Sequence, residues 1–125
     1  MTILLHPTMI QRRWKSTIRS SDRAEYVRYI ARTGVVDYLN TPGNLGCQML
    51  TRDMEDGSTE VTTLSWWESM ESIRAFAGDD VDRARYYPQD DKFLLEKPER
   101  VEHHKVAIDA VGVGQRTRLG HEIGT

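Results

Sequence analysis

The sequence predicts an α+β fold: one antiparallel sheet with helices on a single face. Three observations predict it. Four stretches read as extended, two of them alternating apolar and polar residues at strand period. Two stretches with helical apolar spacing and N-cap residues lie between them. The chain has 125 residues, about the size of one domain.

In chain order, residues 9–16 (MIQRRWKS) alternate, with Ile10, Arg12, Trp14 and Ser16 on one face and Gln11, Arg13 and Lys15 on the other. Ser20, Ser21 and Asp22 then offer N-caps, and Glu25, three after Asp22, completes a capping box. Val27, Ile30 and Ala31 follow at helical spacing, and Gly34 supplies a stop, which predicts a helix over about 22–33. Residues 38–44 read as a turn-rich loop. Residues 45–53 and 59–67 flank Glu55-Asp56-Gly57-Ser58, whose Asp-Gly predicts an antiparallel hairpin. Its second strand puts Val61, Thr63, Ser65 and Trp67 on one face and Thr62, Leu64 and Trp66 on the other. Ser69 caps a helix carrying Met70, Ile73, Phe76 and Ala77, which Gly78 ends. A short helix is predicted around 80–86, with Asp79, Asp80 and Asp82 as its caps, followed by Tyr86-Tyr87-Pro88 and an acidic loop. Residues 100–108 (RVEHHKVAI) alternate as a last strand, and residues 109–125 read as a tail or an arm onto a partner.

The order β-α-β-β-α-β is the split β-α-β of a ferredoxin-like sheet. Helices cover one face only, yet three strands carry apolar groups on both, so a second copy packing sheet to sheet is expected. Seventeen basic against 19 acidic residues argue against nucleic acid and give no reason to expect an anionic membrane as partner. The apolar runs are too short to span a bilayer, and the N-terminus lacks a signal-peptide pattern. A lone cysteine, Cys47, excludes an internal disulfide and a cysteine-based zinc site. These readings predict a soluble cytoplasmic domain.

Several residues can carry chemistry. Trp66 and Trp67 leave opposite sheet faces: one is expected in the core and one at an interface, or Trp67 walls a pocket beside Thr63 and Ser65. His103 and His104 also diverge, so they cannot chelate one metal within a subunit, and no metal is expected. A histidine in a closed pocket serves as a general base near neutral pH, which keeps His103 a candidate; a structural, hydrogen-bonded role is the alternative. Arg12 either stacks on Trp14 or holds an anionic oxygen. Tyr86 and Tyr87 can close a pocket mouth. His6 and His121 fall in the termini.

Four segments carry a resemblance: RRWK (12–15), TPGNLG (41–46), SWWESMESIRAFAG (65–78) and ARYYPQDDKFLLEKPERVEHHKV (84–106). In them the chain resembles the antibiotic biosynthesis monooxygenase (ABM) domain family over about residues 9–108. The resemblance implies a dimeric α+β barrel. It also implies either oxidation of phenolic polyketides by O₂ without a cofactor, or heme degradation. The family's heme degraders have a tryptophan matching Trp67, an asparagine on the first strand and an axial histidine in the following helix. Here the first strand offers Arg12, Arg13 and Trp14, and residues 69–78 contain no histidine, so heme degradation is not expected. The quinone-forming members have an asparagine where Thr63 stands.

The expected function is a cofactor-independent monooxygenase acting on an aromatic small molecule, with a non-oxidative cyclase, isomerase or binding protein on the same scaffold as the alternative. His103 is the expected base, Trp67 an aromatic wall and Arg12 the anion stabiliser. Trp14, Thr63, Phe76, Tyr86 and Tyr87 are the expected substrate-binding residues.

Overall fold

The computed structural model describes residues 9–111. The expectations for His6, His121 and most of the tail lie outside the described residues. The elements run β1 (Ile10–Arg19), a 3-10 turn (Ser20–Asp22), α1 (Arg23–Arg32), α2 (Gly34–Asn40), β2 (Asn44–Asp53), β3 (Ser58–Trp67), α3 (Met70–Ala77), α4 (Asp90–Phe93) and β4 (Glu102–Lys105). One four-stranded sheet has the order β2-β3-β1-β4, and every pair is antiparallel. The predicted ferredoxin-like fold is present. Among the described residues no helix is long and apolar enough to cross a membrane.

The central pair β1–β3 is in register over ten residues, which sets Ile10, Arg12, Trp14, Ser16 and Ile18 opposite Trp67, Ser65, Thr63, Val61 and Thr59. These ten positions form the inner face, under the helices. One apolar cluster joins Ile18 and Val61 to Tyr26, Tyr29 and Ile30 of α1 and to Phe93. A second joins Ile10 and Trp67 to Tyr38 of α2 and to Ile73 and Phe76 of α3. On the outer face Leu64 and Trp66 pack with Met9 and Leu45. The two adjacent tryptophans do face opposite ways, as strand geometry requires.

Several expectations are corrected. The apolar face of α1 is Tyr26, Tyr29 and Ile30, and Val27 is exposed, because two large aromatic rings remove more area from water than one valine. Asp22 makes no side-chain cap; it pairs with Arg19, while Glu25 reaches Lys92 Nζ at 2.8 Å. Part of the expected loop at 38–44 belongs to α2, and Gly34 opens that helix instead of stopping α1. No helix forms at 80–86, because the backbone there bonds elsewhere. Arg12 takes the carbonyls of Val81 and Arg83. Val101 N–H donates to Asp82 O at 2.7 Å, and Ala84 N–H to Glu99 O at 2.8 Å. Residues 100 and 101 are thereby drawn from the last strand, which shortens to 102–105. Asp80 and Asp82 bond Arg100 and His103 rather than capping a helix.

Other local signals hold. Gly57 turns the hairpin at φ 86°. Ser69 caps α3 in a capping box whose second member is Ser72, and Gly78 ends the helix at φ 91°. Gly43 joins α2 to β2 at φ 89°, and a Cβ placed there would lie 2.4 Å from Ser72 Cβ. Gly43→Ala therefore meets both left-handed backbone strain and overpacking against the start of α3. It is expected to destabilise the fold by about 2 kcal/mol or more, read as a lowered midpoint in urea denaturation.

Candidate functional site

At the centre of the inner face, β1 sets Arg12 between Ser65 of β3 and His103 of β4. The side chain is 2% exposed. Removing a cation from water is costly unless its donors are matched. Here Nη1 donates to Val81 O and to His103 Nε2 (3.0 Å), and Nη2 donates to Arg83 O (2.9 Å). Burial lowers the Arg12 pKa, with Tyr38 and Asp82 opposing it, yet a guanidinium stays charged in proteins. Three of its five N–H groups are committed in this way, which leaves Nε and one Nη2 proton for a guest. Because Nε2 accepts from Arg12, the His103 Nδ1–H donates to Asp82 Oδ1 at 2.9 Å, the arrangement of a neutral imidazole. Burial pushes the His103 pKa down, the Arg12 and His104 charges push the same way, and Asp82 opposes them.

A cavity opens beside Arg12, between the sheet and α1, α2 and α3. Its volume is about 40 Å³, room for two or three water molecules. Trp14, Tyr26, Tyr38, Phe76, Tyr86 and Tyr87 form aromatic walls, and Thr63, Arg85 and Asp90 add polar groups. Trp14 does not carry Arg12 on its face. Arg12 lies 5.7 Å from the Phe76 ring centre, and Trp14 meets Tyr86 edge-on while its Nε1–H donates to the Tyr86 hydroxyl at 3.2 Å. The Tyr86 hydroxyl in turn donates to Pro98 O.

The 84–88 segment is latched to α2. Tyr87 hydroxyl donates to Asp37 Oδ2, and Arg85 Nη2 lies 3.3 Å from the same oxygen. Arg85 also donates to Phe76 O at 2.8 Å and stacks 4.9 Å above the Phe76 ring centre. Burial, then the Asp37 bond, raises the Tyr87 pKa, so its hydroxyl stays protonated and keeps donating.

Of the residues singled out in the sequence, Arg12, Trp14, Thr63, Phe76, Tyr86 and Tyr87 border one cavity. Trp67 and His103 do not border it. Trp67 is fully buried against Tyr38 and Phe76, with its indole N–H on Ser65 Oγ at 2.8 Å. His103 touches the site through Arg12. Tyr26, Tyr38, Arg85 and Asp90 also line the space without having been foreseen. Tyr26 follows from the i, i+3, i+4 spacing of Tyr26, Tyr29 and Ile30. Asp90 carries no comparable signal, because nothing local distinguishes it from its exposed neighbour Asp91.

No family model and no curated protein matches this sequence. Solved structures do match its fold. A candidate antibiotic biosynthesis monooxygenase from Caulobacter crescentus superposes with TM-score 0.57 at 16% identity, covering 82% of this chain and 92% of that one. One from Bacillus cereus gives TM-score 0.55 at 16% identity, covering 79% and 93%. The chain has their fold. The heme degrader MhuD from Mycobacterium tuberculosis, solved with two hemes in its active site, superposes with TM-score 0.54 at 20% identity, covering 82% and 98%. Heme does not fit the residues of this site. Helix α3 has no histidine, both His103 ring nitrogens are bonded, and the cavity is far smaller than a porphyrin.

The Arg12–His103–Asp82 chain has a pH signature. Folded His103 sits below its ordinary pKa, so the unfolded chain binds that proton more readily. Stability should be complete above about pH 6.5 and fall as pH drops through the folded value. Urea denaturation midpoints between about pH 5 and pH 7.5 should show the decline, and His103→Gln should flatten it.

Proposed function

We propose that this chain is a monooxygenase that oxidises a small phenolic substrate with O₂ and without a cofactor. The observation that carries the reading is an aromatic-walled cavity with a buried guanidinium in its wall. Triplet O₂ reacts slowly with closed-shell molecules, so the substrate must itself supply an electron, and a phenolate does so far better than a phenol. For an anthrone-like phenol the balance is R₂CH₂ + O₂ → R₂C=O + H₂O: one oxygen atom enters the ketone and the other leaves as water.

The site offers what this chemistry requires. Trp14, Phe76 and the tyrosines hold a flat ring and exclude water. The uncommitted N–H groups of Arg12 stabilise the developing anionic oxygen, and Thr63 offers a hydroxyl beside it. His103 acts through Arg12: its neutral Nε2 fixes the guanidinium against β4. A space of about 40 Å³ admits water but no aromatic ring, so entry requires the Tyr86–Tyr87 segment to swing away from α2.

Oxygen uptake with an anthrone-like phenol should exceed the background rate, with one O₂ consumed per ketone formed. Binding without uptake would remove the oxidative reading and favour a cyclase, isomerase or binding protein. Asp37→Asn weakens the latch that holds Tyr87 and Arg85, and it should speed association about two- to fivefold in stopped-flow mixing, the scale of one exposed charged contact.

We also propose that two copies pair through the outer sheet face. Leu50, Ile108 and Val111 are exposed on or beside it, Ile108 by 66%. Sedimentation should return a two-chain mass, and Ile108→Asp should shift it toward one chain.

A further inference from the structure

Two guanidiniums border the cavity, and the preceding mechanism uses only Arg12. The second is Arg85. Their Cζ atoms lie 5.7 and 4.9 Å from the centre of one ring, Phe76, so a guest at that ring lies in the field of both. Burial raises the pKa of the neighbouring Tyr38, while Arg12 and Arg85 each oppose the rise, so both charges act on this part of the wall. The one carboxylate in the lining, Asp90, is engaged by the Tyr87 N–H and faces the Tyr29 hydroxyl. Among the described residues no carboxylate touches Arg12, whose partners are two carbonyls and a neutral imidazole.

The two cations differ in how firmly they are held. Arg12 is buried and fixed by three partners. Arg85 has a half-exposed side chain and rides on the 84–88 segment, while its carboxylate partner, Asp37, belongs to α2 and stands outside the cavity lining. Asp37 is also shared with the Tyr87 hydroxyl. A swing of the segment away from α2, which entry of a ring requires, therefore parts Arg85 from Asp37. The guanidinium then borders an aromatic space with its ion pair broken, and a charge leaving water needs a new partner.

We propose that the substrate is an aromatic acid and that Arg85 selects its carboxylate, which takes over the partner role of Asp37. The proposal rests on the phenolic reading for the ring that bears the acid. The planar guanidinium matches a carboxylate's two oxygens. Arg85 keeps three of its five N–H groups for it beyond the contacts to Phe76 O and Asp37. Arg12 stays free for the oxygen that gains charge, so the two cations divide the guest's two polar ends between them. Asp37 and the guest compete for one cation, which ties opening of the latch to arrival of an acid.

The test compares binding of 6-hydroxy-2-naphthoate with its methyl ester, which has the same ring and hydroxyl and no charge. The full chain should prefer the acid about tenfold or more, the scale of a hydrogen bond between charged groups. Arg85→Gln keeps a donor for Phe76 O and removes the charge. It should bring the two affinities to within about twofold and leave ester binding unchanged. Arg85→Lys, with the charge but no fork, should recover part of the preference. Asp37→Asn removes the competitor and should move the preference the other way, raising it about two- to fivefold. Equal binding of acid and ester by the unmodified protein would overturn the assignment, and so would a preference that survives Arg85→Gln. An Arg85-dependent preference in a protein that consumes no O₂ would uphold the acid site and sink only the oxygenase reading. O₂ uptake as fast with the ester as with the acid, and no preference in binding, would do the reverse.

Discussion

One buried guanidinium organises this molecule. Arg12 lies on β1, an interior strand of the sheet, on the face where its neighbours are Ile10, Trp14 and Trp67. An unmatched cation there would cost several kcal/mol. The cost is offset by two backbone carbonyls and an imidazole, and the carbonyls come from residues 81 and 83. The segment after α3 is thus held flat across the sheet. It makes a turn at 80–83 but no helix, and with residues 99–101 bonded to it the last strand is confined to four residues.

That constraint also builds the cavity. With residues 81–84 fixed over Arg12, the chain that follows carries Arg85, Tyr86 and Tyr87 up to α2 and then down into α4. The rings close over Trp14 and Phe76 and leave a space that Arg12 and Asp90 both border. A neutral histidine behind the cation makes this a polar network inside an otherwise apolar core.

Much of the inner face was legible because strand geometry is strict. Alternation in 9–16 and 59–67 assigned Arg12, Trp14, Thr63 and Trp67 to one side, and the β1–β3 register sets them opposite one another. What alternation does not carry is depth. Trp67 and Phe76 share a cluster, yet only Phe76 reaches the cavity, because Trp67 pairs with Ile10 at the end of the sheet and Trp14 with Thr63 nearer the space. Period put His103 and His104 on opposite faces without saying which faces the helices; across the strand pair His103 meets Arg12, which takes its lone pair. Asp90 and Asp37 left no local trace, since each matters only through a residue some fifty positions away or through an enclosure built by other segments.

By itself the sequence determined the four strands with α1 and α3 between them, the two-faced strands, the hairpin turn at Gly57 and the ends of α3, because all are set by side-chain period and by backbone preferences acting within a few residues. Tertiary structure alone decided that residues 80–86 form no helix, that residues 34–40 form α2 and bring Tyr38 and Asp37 to the site, and which His103 nitrogen accepts from Arg12. Those outcomes turn on where a charge in the middle of the sheet finds its hydrogen-bond acceptors, and acceptors some seventy residues distant along the chain lie beyond the reach of any local pattern.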